Sequence, residues 1–363
     1  MKILAINPGS TSTKAALFHE GVALVSLELP HPKEELSAYP RAMDQMAFRS
    51  QTIRAALTRA QADLSGLSAV VGRGGLLAPL PGGVYAITEP LLEDLRQARY
   101  GEHACNLGAP LAREFALEAG CPAFIVDPPV TDEMDEVARI TGFPEIKRRS
   151  VFHALSQRGA ARKAARSLGL AYARASFIVA HLGGGISIGA HRQGRVVDVI
   201  NALDGEGPFS PERSGRLPLL RVLDFIQEHN CDLPALRERV LTRSGLYAHL
   251  GSNDLRQAEE RMLSGDRQAA LVYKALVYNI AKEISSLLPV FATGAGGLAL
   301  DAVVLTGGMA RSSRLVECVR ASLAFGAPVL AVTGLEEMEV LAEGAALALS
   351  GEVPVQIYGE GRS

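Results

Sequence analysis

Apolar positions along the chain come in short runs, several of which end on a turn built from Gly with Ser, Thr or Asn. Lys2-Ile3-Leu4-Ala5-Ile6 leads into Asn7-Pro8-Gly9-Ser10-Thr11-Ser12-Thr13-Lys14, and apolar residues resume at Ala15-Ala16-Leu17-Phe18. Ser176-Phe177-Ile178-Val179-Ala180 leads into His181-Leu182-Gly183-Gly184-Gly185 and resumes at Ile186-Ser187-Ile188-Gly189-Ala190. A second turn follows each, at Glu20-Gly21 and Gln193-Gly194, so both read as β-hairpins entering a third strand, at 23–27 and 195–199. A third run, Ala302-Val303-Val304-Leu305, meets Thr306-Gly307-Gly308-Met309-Ala310. Helical spacing of Leu315, Val316, Val319 and Leu323 follows, so these glycines are expected to open a helix.

The two hairpins lie about 170 residues apart, which predicts a duplicated α/β domain with a cleft between the halves. Helical patterns at 45–60, 89–99 and 268–288 alternate with the strands and place α/β layers on a mixed sheet. Residues 204–218 are rich in Gly, Pro and charge without a period, and such loops are often functional.

Composition narrows the partners. With 363 residues, 48% of them apolar, the chain is long enough for two folded domains. A net charge of −2 gives no sign of nucleic acid or a membrane surface, and the absence of Trp weakens any base-stacking platform. No apolar stretch is long enough to cross a bilayer, and MKILAIN stops too soon for a signal peptide. Cys105, Cys121, Cys231 and Cys318 form no CxxC pair, which suits buried, reduced thiols in a cytoplasmic protein and speaks against a cysteine metal site.

A hairpin turn of glycine and small hydroxylated residues can bring backbone N–H groups close to phosphate oxygens. Other nucleotide folds fail. There is no GxxxxGK[ST], and Gly183-x-Gly185-x-x-x-Gly189 misses the dinucleotide spacing and runs into a strand instead of a helix.

NPGSTSTK at 7–14, VGRGG at 71–75, EHACNLGA at 102–109, VFHALSQ at 151–157, AHLGGGIS at 180–187, FSPERSG at 209–215 and VVLTGGMA at 303–310 closely resemble the butyrate kinases. These group with the acetate kinases in the sugar kinase, Hsp70 and actin superfamily, and the resemblance runs in order to about residue 350. It implies two duplicated actin-like ATPase (ribonuclease H-like) domains with a nucleotide cleft between them, at 1–148 plus 340–363 and at 149–339, closing by a hinge. It implies ATP and Mg²⁺, a short-chain carboxylic acid as substrate, and a homo-oligomer. Asn7, Ser10, Ser12 and Lys14 match the first phosphate loop, with Asn7 near the metal and Glu337 a metal-side match crowded by Glu336 and Glu339. Arg73 and Arg213 match the arginines that hold carboxylate and phosphoryl group. Asp127 matches an active-site aspartate, although Pro128 stands where acetate kinases usually carry a small hydroxylated residue. His153 and His181 match active-site histidines, Gly183, Gly184 and Gly185 the second phosphate loop, and Gly307 and Gly308 the adenosine site.

Elementary chemistry agrees with this set. Phosphoryl transfer to a carboxylate brings negative charges together and needs cations and fixed dipoles, and a guanidinium binds either anion bidentately. The carboxylate is already ionised at neutral pH, so Asp127 is expected to orient Arg73 or the metal and not to remove a proton. Where acetate kinases carry a bulky apolar residue after the first arginine, Gly74 and Gly75 are expected to deepen the acyl pocket toward butyrate or a branched acid. His19, His31, His191 and His249 read as surface or loop residues, and Lys147-Arg148-Arg149 as a solvated hinge edge. The rival readings are an acetate or propionate kinase and an ATP-binding regulator of the same fold without catalysis.

Overall fold

The computed structural model describes residues 1–294 and 296–359. The chain divides into two compact units, 1–132 with 336–363, and 133–335.

The first unit is built on a seven-stranded sheet. Its strands are β1 (Lys2–Pro8), β2 (Ser12–His19), β3 (Val22–Pro30), β4 (Ala69–Arg73), β5 (Val84–Ala86), β6 (Ala123–Val126) and β12 (Val355–Ile357), in the order β12-β5-β6-β4-β1-β2-β3. β1, β4 and β6 run parallel, and β1-β2-β3 is an antiparallel meander. Alternation sends Leu4, Ile6, Val70 and Ile125 to a core shared with the helices Met46–Arg59 and Gly108–Ala119. Val126, out of phase with Ile125, meets Gly344 of the helix Glu337–Leu349. The central strands are therefore covered on both faces, which explains their unbroken apolar runs.

The second unit repeats the plan. Its strands β7 (Ser176–Leu182), β8 (Ile186–Arg192), β9 (Arg195–Ile200), β10 (Ala302–Thr306) and β11 (Val329–Ala331) form a sheet in the order β11-β10-β7-β8-β9. In both units a parallel strand adds to the outer side of the meander's first strand, β4 beside β1 and β10 beside β7. The register of each meander even shifts at an equivalent place, between Leu17 and Phe18 and between Ala190 and His191. One face of this sheet packs on the helix Arg267–Ser286 and the other on the alanine-rich helix Ala154–Ser167.

Several local expectations need correcting. Residues 133–148, expected with the first domain, are held to β9: Asp135 N–H donates to Val197 O, and Arg148 binds Asp198, Val199 O and Glu206. Arg148 is thus ion-paired and not a solvated hinge group. The glycines after β10 open a short 3₁₀ turn, Gly308–Arg311; the helix proper, Ser313–Ser322, starts at Ser312, whose hydroxyl caps Leu315 N–H. Of the four free cysteines, only Cys105 is buried. Among the described residues no helix is long and apolar enough to cross a membrane.

His31 and His191 are buried, not at the surface. The His191 ring is satisfied on both nitrogens, by Tyr172 and Gln157. His31 Nε2 lies 2.8 Å from Thr13 Oγ1. Burial, and then the charge of Arg49, pull the His31 pKa down to about 4. The unfolded chain then takes up this proton near pH 6.5 while the folded chain does not, so His31 makes stability fall as pH drops from about 6.5 toward 4. Between pH 7.5 and 5 the wild type should lose about 2 kcal/mol more stability than His31→Gln in denaturant titrations. Equal losses would remove His31 from this role.

Candidate functional site

In the first unit, strand register gathers the polar groups. Ile6 pairs with Gly72, and Arg73 with Val126, so Asn7, Arg73 and Asp127 stand at the carboxyl ends of three neighbouring parallel strands. Ligand crevices of open α/β sheets lie at such ends. Glu337, at the first position of its helix, reaches the same place, where the positive end of the helix dipole favours a carboxylate. Its Oε2 accepts from Asn7 Nδ2 and from Arg73 NH1, each at 2.8 Å. This contact distinguishes Glu337 from the crowded Glu336 and Glu339.

The first turn is less concentrated. Ser10 Oγ lies 3.4 Å from His103 Nε2, whereas Ser12 and Lys14 turn to Glu28 at 3.5 and 4.0 Å. Asp127 is 2% exposed and sits at φ 39°, a conformation non-glycine residues seldom adopt. It exchanges hydrogen bonds with the backbone of Gly83, accepting at Oδ1 and donating from its N–H, both at 2.9 Å.

Gly74 and Gly75 do not open a pocket. A Cβ on Gly74 would lie 2.4 Å from Pro128 Cβ, and one on Gly75 would lie 2.6 Å from Leu95 Cδ2. Their missing side-chain volume is filled by neighbours, and Pro128, the other departure from the acetate kinase pattern, is the group that fills it at Gly74.

In the second unit, His181 comes near the end of β7, and His153 precedes the helix Ala154–Ser167. Their rings stack with centroids 3.8 Å apart and planes 11° from parallel. Ser187 Oγ accepts from Gln157 Nε2 at 2.8 Å and from His153 N–H at 3.3 Å. Its own proton is then left for His153 Nδ1 at 2.8 Å, so a neutral His153 carries its hydrogen on Nε2.

Arg213 lies in the loop after β9, and its NH1 donates to Ala202 O at 3.0 Å. Among the described residues its buried Nε has no hydrogen-bond partner, and burial pulls its pKa down. The guanidinium lies on Gly185, where a Cβ would come within 2.0 Å of NH1. Gly183, Gly184 and Gly308 line a cavity of about 930 Å³ with Arg256, Glu259, Ser312 and Arg314. Gly307, at φ 89°, crosses close to Leu182 O.

The acetokinase family model matches residues 144–337. A probable butyrate kinase of Maridesulfovibrio salexigens is 53% identical over 362 residues, covering 98% of each chain. A probable butyrate kinase of Oleidesulfovibrio alaskensis is 49% identical over 370 residues, covering 99% of each. The chain belongs to the acetokinase family. Its fold is also that of the Porphyromonas gingivalis acetate kinase, at TM-score 0.74 and 21% identity over 95% of this chain and 99% of that one. A propionate kinase of Francisella tularensis follows at 0.70 and 18%, over 94% and 98%.

Three further polar groups, His103, Ser187 and Gln157, stand in the motifs EHACNLGA, AHLGGGIS and VFHALSQ without a role that their own motif reveals. His103 accepts from Cys105 N–H at Nδ1, which leaves Nε2–H toward Ser10. Burial and the charges of Arg73 and Arg49 lower its pKa. Ser187 and Gln157 orient His153. EHACNLGA, AHLGGGIS and VFHALSQ carried the signal, but only tertiary contacts assign the bonds. For the glycine turn, Gly185→Ala should displace the Arg213 guanidinium and lower kcat/KM by about 10²-fold, with the thermal midpoint near wild type. Undiminished turnover would show that this contact does not hold Arg213.

Proposed function

We propose that the chain transfers the terminal phosphoryl group of ATP directly to the carboxylate of a short-chain fatty acid, butyrate or a branched acid, giving an acyl phosphate and ADP reversibly. The observation that carries this reading is Arg213. Its half-buried guanidinium, with an unbonded Nε among the described residues, lies on the glycine turn Gly183–Gly185 and calls for an anion.

A carboxylate oxygen attacks the terminal phosphorus while the bond to the bridging oxygen of ADP breaks. No proton needs to move, since the acid is already ionised. Arg73 and Arg213 hold the carboxylate and the phosphoryl group, and His181, stacked on His153, donates to the phosphoryl oxygens. Asp127 shapes the strand end beside Arg73. The cavity bounded by Gly183, Gly184 and Gly308 takes the nucleotide, and Ser10, Ser12 and Lys14 of the first turn bind phosphate. Among the described residues no group of three or more His, Cys, Asp or Glu could hold a metal. Mg²⁺ asks for less: one or two carboxylates, with water and phosphate completing its shell. Asn7 Oδ1 and Glu337 Oε1, whose neighbouring atoms are already bonded, are hard donors that suit it. When bound, the ion neutralises phosphate charge. In this reading the enzyme is a cytoplasmic homo-oligomer.

The names of the two relatives support butyrate. The filled space at Gly74 favours a second reading, acetate or propionate, because nothing there enlarges an acyl pocket. A hydroxamate assay over C2 to C5 acids decides. Butyrate should exceed acetate by about 10-fold or more in kcat/KM, since each methylene is worth about 1–3 kcal/mol. Acetate at or above butyrate selects the second reading, and no acyl phosphate from any acid sinks both. Arg213→Ala should lower kcat/KM by about 10²–10³-fold with little change in thermal midpoint; near-wild-type turnover would remove Arg213 from the site.

A further inference from the structure

Arg49, in the first turn of the helix Met46–Arg59, is 0% exposed. Its Nε and NH2 both donate to Gln45 Oε1, at 3.0 and 2.8 Å. NH1 donates to Gly9 O at 2.8 Å, Thr13 Oγ1 at 2.9 Å and Ser12 O at 3.2 Å. Every partner is a neutral oxygen, and no carboxylate among the described residues pairs with this guanidinium. Burial pulls its pKa down to about 10, so it remains a cation at neutral pH. A fully buried cation without a counter-ion is costly, and a helix needs no such group to pack.

The hydrogen bonds of the turn explain what this cation does. The carbonyls of Gly9 and Ser12 are taken by Arg49, that of Thr11 by His31 N–H, and Ser12 O also accepts from Gly9 N–H. The N–H groups of Ser10 and Thr11, both exposed residues, donate to no described residue. With acceptors drawn inward and donors left over, the turn has the polarity of an anion-binding nest.

We propose that Arg49 is the positioning residue of the first phosphate turn: it holds the Gly9 and Ser12 carbonyls so that the Ser10 and Thr11 amides serve the phosphoryl oxygens, and its unpaired charge lies behind them. This rests on the carboxylate kinase reading. Bound phosphate supplies the counter-ion that no described residue provides. Arg49 acts through the turn and touches no reacting atom.

The test compares wild type, Arg49→Lys and Arg49→Met by acyl hydroxamate kinetics and by the rise in thermal midpoint that inorganic phosphate produces. Lysine keeps the charge but cannot reach the three acceptors together, so it is the informative variant if methionine fails to fold. Arg49→Lys should lower kcat by about 10-fold or more with KM for the acid within about twofold, and should shrink the phosphate-induced rise. A purely structural arginine would lower the midpoint alone. Folded Arg49→Lys with wild-type kcat, or with the wild type's full response to phosphate, overturns the proposal. A wild type inactive on every acid defeats the carboxylate kinase reading by itself, and the phosphate response then decides on Arg49. A wild type with neither turnover nor phosphate protection overturns both.

Discussion

Two backbone segments of the first unit touch where neither can carry a side chain. A Cβ on Gly72 would lie 2.1 Å from Gly108 O, and one on Gly108 would lie 2.1 Å from Arg73 O. The helix Gly108–Ala119 therefore starts directly against the end of β4. The 3₁₀ turn Ala104–Leu107 before it is pinned to the same place: Asn106 Oδ1 accepts from Leu76 N–H, and Nδ2 donates to Gly101 O. From the end of β4 beside this contact, Arg73 NH1 reaches Glu337 Oε2. His103 is delivered to the first turn by the same contact. Backbone against backbone thus fixes the strand end that carries Arg73 in the first unit.

The electrostatics follow from that geometry. The Arg73–Glu337 pair is about one-third exposed on each side, and pairs of that kind contribute little to stability. Its use is orientation, since one carboxylate oxygen aligns Arg73 and Asn7 together. Arg49 and Arg213 are different. Arg49 is fully buried and Arg213 partly so, with a buried Nε, and neither has a carboxylate ion-pair partner among the described residues, an arrangement that costs folding energy and makes sense for a protein whose ligands are anionic. One such cation stands behind the turn of each meander, so the duplication seen in strand order extends to the charge behind each turn.

Much of this plan was legible because turns announce themselves locally. Gly-Ser and Gly-Gly-Gly turns between aliphatic runs mark both meanders, and the helices at 45–60, 89–99 and 268–288 appear within a few residues of their expected ends. What stayed hidden depends on partners distant in sequence. Arg49 looks like any polar residue on a helix, and only the fold shows that it faces the Gly9 turn. His31 and His191 read as surface groups because residue type alone does not reveal Thr13 or Gln157 beside them. Gly74 misled for a related reason: a missing side chain implies space only if nothing else enters it, and Pro128 does.

The second unit adds a constraint on the chemistry. Two imidazolium rings stacked at 3.8 Å would repel strongly, so His153 and His181 cannot both be charged without cost. The Gln157–Ser187–His153 chain then fixes one tautomer from within the core, and it begins at buried His191, whose pKa is held well below 6.5 by burial and by Arg158 and Arg162. A neutral His191 donates to Gln157 Oε1 from Nε2, which turns the Gln157 amide N–H toward Ser187 and the Ser187 proton toward His153. Such a chain suits donors whose hydrogens must already be in place. In the proposed transfer to an ionised carboxylate, the part left for a histidine is a fixed N–H for the moving oxygens, not a base.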